Sequence, residues 1–294
     1  MWEKLAAFIL STVIPASVFG LSAEKTPPPL KIDIEPLSVV QHQAAREITI
    51  GAKAALAIET HSNEALYTKN VWELLPIASL TKLMTALVVK ESIPLDQVVT
   101  VGPIVASVGG SSMGLRVGEQ ITVDKLLHGL LINSGNDAAM VLAEAVAGST
   151  DAFVALMNER KLALGLNQTQ FVDPAGLSEG NLSSAFEIAH LAKYVFRDPV
   201  LQTILRQKEV TVASVDGAVS HHLMNTDRLL GTALADRIIA GKTGTTPLAG
   251  QCLISFFNIQ DTDRTTMVII LGSKDRYAEM NQLIPWIDET YRWE

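Results

Sequence analysis

The chain has 294 residues, 48% hydrophobic and 18% charged, a globular composition that excludes a disordered chain. Its formal net charge of −8 argues against a nucleic-acid partner, which would require a basic surface. The length fits one large domain or two closely packed halves.

Residues 1–23 read as a secretory signal peptide. Lys4 supplies a positive start weakened by Glu3, and Leu5 to Ile14 is apolar. Small residues follow, with Val18-Phe19-Gly20 and Leu21-Ser22-Ala23 as rival cleavage sites. The competing reading is a retained anchor, but the apolar run is short for a span and Pro15 interrupts it. Membrane contact is therefore expected only through this segment, if it stays uncleaved. The protein is expected to be exported, periplasmic or otherwise extracytoplasmic. Residues 24–46, opening on Pro27-Pro28-Pro29, read as a Pro-rich linker to a folded domain over 47–294.

Within that domain, Ala52 to Ile58 and Ala65 to Thr68 read as two strands joined by a turn at His61-Ser62-Asn63-Glu64. Leu80, Leu83, Met84, Leu87 and Val88 recur at helical spacing, which predicts a buried helix beginning at Ser79 and ending before Pro94. Helical periodicity continues over Asp124 to Leu131, Asn136 to Val146, Thr150 to Leu164 and Ser184 to Phe196. Val210 to Ser214 and Ala218 to His222 flank Val215-Asp216-Gly217, a hairpin signal. Three strands follow at Ile238 to Thr243, Cys252 to Ile259 and Thr265 to Leu271, and then a closing helix over Arg276 to Tyr291. The fold class expected is α+β: an antiparallel sheet flanked by helices, with an inserted helical subdomain and a cleft between the two parts. Trp286, Tyr291 and Trp293 are expected to pack the last helix on the sheet rather than lie in a membrane interface.

Cys252 has no cysteine partner and sits in a strand-like apolar run, so a buried structural thiol is expected. No Cys/His cluster has metal spacing and no Gly-rich phosphate loop follows a strand, so no metal or cofactor is expected.

Three short motifs occur in order: Ser79-Leu80-Thr81-Lys82, Ser134-Gly135-Asn136 between two helices, and Lys242-Thr243-Gly244 at the end of a late strand. Each alone is weak. Roughly one Ser-x-x-Lys arises by chance in such a composition, and a second stands at Ser22-Ala23-Glu24-Lys25. Alone, Ser79 reads as a helix cap and the Ser-x-Asn as a turn. The ordered set is more specific. Residues three apart on a helix share a face, so Ser79 and Lys82 can touch. A lysine normally titrates at about 10.4, but burial and a positive helix end both disfavour its charged form. Lys82 can then take the Ser79 proton as general base, with no histidine required.

The chain resembles the low-molecular-mass penicillin-binding proteins, the serine D-alanyl-D-alanine carboxypeptidases. The resemblance runs through Pro76–Ala86, Gly110-Ser111-Ser112-Met113, Val117-Gly118-Glu119, Ser134–Ala139, Asp173-Pro174-Ala175-Gly176-Leu177, Asn181–Ala185, Asn225–Leu230 and Gly241–Gly244, and covers roughly residues 45–292. It implies that Ser79 forms an acyl-enzyme, Lys82 is the base, Ser134 relays a proton to the leaving D-alanine, and Asn136 positions Lys82 and the substrate amide. It further implies that Lys242 and Thr243 receive the substrate carboxylate, beside Gly244, and that the N–H groups of Ser79 and Thr245 form an oxyanion hole. Arg228 and Arg276 would add positive potential there. The implied partners are peptidoglycan stem peptides, with β-lactams as covalent inhibitors. Two departures stand out: the chain continues only about fifty residues past Lys242, and Thr245-Thr246-Pro247 is not the commonest family wording. Removal of the terminal D-alanine is the leading expectation. The alternatives are a D,D-endopeptidase cutting cross-bridges, a serine β-lactamase, and a non-catalytic wall-binding module.

Overall fold

The computed structural model of this chain describes residues 47–291; the expected signal peptide and linker, and Trp293, lie outside the described residues. In chain order the elements are β1 (Ala54–Glu59), β2 (Ala65–Lys69), β3 (Leu75–Pro76), α1 (Lys82–Ser92), β4 (Val98–Thr100), β5 (Gln120–Thr122), α2 (Val123–Leu131), α3 (Asn136–Ala147), α4 (Thr150–Ala163), β6 (Leu182–Ser183), α5 (Ala185–Arg197), α6 (Pro199–Arg206), β7 (Glu209–Ala213), β8 (Ser220–Met224), β9 (Ile238–Thr246), β10 (Gly250–Asn258), β11 (Thr265–Ser273) and α7 (Arg276–Thr290).

The main sheet has the order β2-β1-β11-β10-β9, and every neighbouring pair is antiparallel. Its strands read as nearly unbroken apolar runs because both faces are covered. Side chains alternate across a strand. Leu56, Ile58, Ile254, Ile269 and Leu271 join the core under the helical insert, while Ala55, Ala57, Leu253, Val268 and Ile270 join a second core under α7. The expected antiparallel sheet with an inserted helical part is therefore present.

The insert is built around α1. Its residues from Lys82 to Val89 are all buried, and α2, α3, α4 and α5 pack around it. The last helix packs on the sheet as expected: Trp286 meets Tyr67 edge-on at 5.9 Å, and the Tyr291 hydroxyl donates to the Leu66 carbonyl. No single helix among the described residues is long and apolar enough to cross a membrane.

Several expectations need correction. The helix does not begin at Ser79. Residues Ala78–Thr81 form a single 3-10 turn that leads into α1 at Lys82, and Ala78, at φ 48, keeps the helix from extending back before Ser79. Lys242-Thr243-Gly244 lies inside β9, not at its end. Helix α6 was not read from the sequence, although its start carries clear chemistry: Pro199 occupies the first turn and the Asp198 carboxylate accepts from Val200 and Leu201 N–H. Only Asp198 separates it from α5.

Leu283 on α7 is fully buried on the sheet face opposite α1. Leu283→Ala should lower unfolding free energy by about 2–5 kcal/mol in urea titration while leaving the folded site intact. A loss under about 1 kcal/mol would mean that this second core contributes little.

Candidate active site

The three motifs, far apart in the chain, meet at the edge of the sheet. The 3-10 turn carrying Ser79 presses against β9 so closely that a Cβ at Gly244 would sit 2.9 Å from both Ser79 N and Ile77 O. Only glycine permits this approach. Ser79 itself is half-buried. The second motif lies between α2 and α3, with Ser134 at φ 62 and Asn136 opening α3. Two non-glycine residues at positive φ, Ala78 and Ser134, thus flank the site. Such conformations cost of order 1–3 kcal/mol each and persist only where packing enforces them.

Lys82 is 0% exposed, and its amine has three oxygen neighbours: Ser79 Oγ at 3.0 Å, Asn136 Oδ1 at 2.7 Å and Ala175 O at 2.5 Å. No carboxylate pairs with it among the described residues. Burial, and next the charge of Lys242, push its pKa well below the ordinary lysine value; Asp173 and Asp137 oppose the shift. Burial, expected from the sequence, is the largest cause, and the second cation was not expected. The Asn136 amide is oriented by its own donor, since Nδ2 donates to Gly109 O at 2.7 Å and so turns Oδ1 to Lys82.

Lys242 is equally enclosed. Its Nζ donates to Ser134 Oγ and to Thr243 O, both at 3.0 Å. Burial, with Arg276 adding, brings its pKa down to about 7. Thr243 Oγ1 lies 2.6 Å from Thr226 Oγ1, and Tyr277 OH donates to Thr226 O at 2.9 Å. Arg276 reaches this end of β9, donating to Gly244 O at 2.8 Å and Thr245 Oγ1 at 2.9 Å. Arg228 instead stands over the Tyr277 ring, 5.9 Å from its centre.

All eight residues selected from sequence, Ser79, Lys82, Ser134, Asn136, Lys242, Thr243, Gly244 and Thr245, belong to this one region. Sequence reasoning missed the Ala175 carbonyl, which no side-chain motif can announce. It also missed the loop supports: the Asp137 carboxylate accepts from Ser112 Oγ at 2.5 Å and from Met113, Gly114 and Leu115 N–H at 3.0, 2.9 and 3.1 Å. Cys252 is buried and its thiol is raised to about 11 by burial, as an inert structural thiol should be. His128 Nδ1 donates to Asp124 O at 2.8 Å and stays out of the site.

Chemically, the arrangement offers a hydroxyl beside a desolvated amine, and a second hydroxyl beside a second amine. The amines also affect stability. Lys242 titrates near 7 when folded, against about 10.4 unfolded, so the unfolded chain binds more protons across that window and stability rises with pH there. Lys242→Met should reduce the rise in unfolding free energy between pH 7 and 10. An undiminished rise in urea titrations at both pH values would contradict the depressed lysine.

Comparison with known proteins agrees with this geometry. The peptidase S11 family profile, described as D-alanyl-D-alanine carboxypeptidase, matches residues 40–274. The D-alanyl-D-alanine carboxypeptidase DacF of Bacillus subtilis is 32% identical over 262 residues, covering 83% of this chain and 64% of that protein. A D-alanyl-D-alanine endopeptidase of Pseudomonas aeruginosa is 34% identical over 245 residues, covering 81% of this chain and 78% of that protein. The chain thus spans under two thirds, 64%, of the carboxypeptidase relative. Among solved structures, a D-alanyl-D-alanine carboxypeptidase of Mycobacterium tuberculosis superposes with a TM-score of 0.76 at 25% identity, over 84% of this chain and 95% of that one. The DD-transpeptidase of Streptomyces K15 gives 0.76 at 28% identity, over 82% and 98%. The profile spans most of the sequence and the fold and motif order agree with it: the chain belongs to the peptidase S11 family of D-alanyl-D-alanine carboxypeptidases.

Proposed function

We propose that this protein is a serine D,D-carboxypeptidase that removes the terminal D-alanine from peptidoglycan stem peptides through a Ser79 acyl-enzyme. The observation that carries the reading is the buried, carboxylate-free Lys82 amine 3.0 Å from Ser79 Oγ. A neutral amine in that position is a general base, whereas a guanidinium or a solvated ammonium would not be.

In this reading Ser79 Oγ attacks the carbonyl of the D-Ala–D-Ala bond as its proton passes to Lys82. The Ser79 and Thr245 N–H groups stabilise the developing oxyanion. Lys242, with Thr243, receives the free carboxylate of the substrate, and its charged form is favoured once that anion arrives. Ser134, hydrogen-bonded to Lys242, returns a proton to the leaving amine. Water then hydrolyses the ester. Export to the cell-wall compartment belongs to the same proposal and is supported by the apolar N-terminal segment. The 34% identity to an endopeptidase supports a second reading, cleavage of peptide cross-bridges by the same residues.

Mass spectrometry of purified muropeptides after incubation separates the readings. Loss of one alanine from monomeric pentapeptides is expected; conversion of cross-linked dimers to monomers, with pentapeptides untouched, would replace the first reading by the second. Ser79→Ala should abolish both activities, and Lys82→Arg should reduce them by about 10²–10⁴-fold. Full activity in Ser79→Ala would sink the acyl-enzyme mechanism.

β-Lactams should acylate Ser79 and leave slowly. Asp173 is the carboxylate in the segment where a deacylating base would stand, but both its oxygens are engaged by the protein's own N–H groups. Burst kinetics with a chromogenic penicillin should show one fast equivalent and then a nearly flat line. Sustained hydrolysis at several turnovers per second would promote a β-lactamase reading.

A further inference from the structure

A neutral lysine amine has two N–H bonds and one lone pair. To act as base toward Ser79, Lys82 must direct the lone pair, not an N–H, at the serine hydroxyl. Rotation about the Cε–Nζ bond is otherwise nearly free, so something must set it. Two of the three neighbours of Nζ, Asn136 Oδ1 and Ala175 O, can only accept hydrogen bonds. Together they take both N–H bonds and leave the lone pair for the third neighbour, Ser79 Oγ. After proton transfer the ammonium has three N–H bonds and the same three oxygens, so no rearrangement is required.

The Ala175 carbonyl is held by an unusually saturated turn. Asp173 Oδ1 accepts from the N–H groups of Ala175, Gly176 and Leu177 at 2.7, 2.6 and 3.2 Å. Asp173 Oδ2 accepts from Ser178 N at 2.7 Å and Asn181 Nδ2 at 2.6 Å. Pro174 O accepts from Thr85 Oγ1 at 2.6 Å, tying the turn to α1 one helical step beyond Lys82. Gly176 has φ +79 and packs so tightly that a Cβ there would meet Ala78 O at 2.0 Å. The turn is therefore clamped between the nucleophile turn and α1, with Asp173 as its internal hub.

We propose that Asp173 is a positioning residue for acylation: its carboxylate fixes the Ala175 carbonyl against Lys82 and thereby aims the amine lone pair at Ser79. The inference rests on the acyl-transfer reading above. Asp173 also sets the charge environment of the base. The charged groups facing Lys82 are Lys242 on β9, Asp137 on α3 and Asp173 on this turn, and Asp173 opposes the loss of the Lys82 proton.

The test measures the rate of acylation by a fluorescent penicillin from pH 6 to 10. It compares the full chain with Asp173→Asn, Asp173→Glu and Asn158→Ala, at temperatures where each is folded. Asn158 braces the same segment through Phe171, with its Nδ2 donating to Phe171 O at 2.7 Å, but does not touch the turn. Wild-type labelling at Ser79 establishes the underlying reading; its absence would refute that reading and, with it, a role for Asp173 in acylation, whereas labelling without the variant effects below would refute the role of Asp173 alone. Given that labelling, Asp173→Asn should lower the high-pH plateau at least tenfold, well beyond Asn158→Ala. Its rising limb should move to lower pH, because losing the anion lowers the lysine pKa. Asp173→Glu keeps the charge but overreaches the turn, so its plateau should fall at least fivefold with the limb in place. A plateau loss in Asp173→Asn no greater than in Asn158→Ala, an unmoved limb in Asp173→Asn, or wild-type rates in Asp173→Glu would each overturn the proposal. Should Asp173→Asn fail to fold, the Asp173→Glu rate decides.

Discussion

Two lysine amines are buried within one site, and among the described residues no carboxylate forms an ion pair with either of them. Taking an unpaired ammonium out of water is expensive, and a buried lysine responds by giving up its proton. Each amine is instead surrounded by uncharged oxygens, which satisfy N–H bonds without restoring the ordinary pKa. Proximity reinforces the effect, since the charge of Lys242 is the second largest influence on Lys82. A carboxylate placed against Lys82 would make the site more stable and the amine useless as a base.

That requirement shapes the surrounding architecture. The oxygens around Lys82 come from three segments: the 3-10 turn before α1, the start of α3, and the turn after Phe171. Holding them together places α1 at the centre of the helical insert, buried from Lys82 to Val89, beside a sheet edge that can receive it. Gly244 allows β9 to close on the turn that carries Ser79, and Ala78 and Ser134 hold positive φ beside it. The strain at these positions is balanced by ordinary apolar packing in the two cores, on both faces of the sheet.

The loops around the site are ordered by carboxylates that never meet the substrate in the proposed mechanism. Asp137 gathers the 112–115 loop and Asp173 gathers the 175–178 turn, each by accepting several backbone N–H groups. Such bonds are stronger than neutral ones and hold these loops in one geometry. The chain belongs to the peptidase S11 family, and the resemblance read from the motifs agrees with that membership.

Local patterns were enough to read most elements. Strand and helix periodicities placed β1, β9, β10, β11 and α2 to α5 within a few residues, because apolar spacing records which face is buried. The residue types of the site were equally legible, since Ser79, Lys82, Ser134 and Lys242 carry their chemistry in their side chains. The exact start of α1 was not, because a 3-10 turn and an α-helix place the same apolar residues on nearly the same face, so the spacing through Ser79 does not tell them apart. Nor was the neighbour that most depresses Lys82 after burial: Lys242 lies 160 residues away, and only the folded sheet brings the two charges together. The Ala175 carbonyl was invisible for a more basic reason. Every residue has a carbonyl, so only the path of the backbone decides which one faces Lys82.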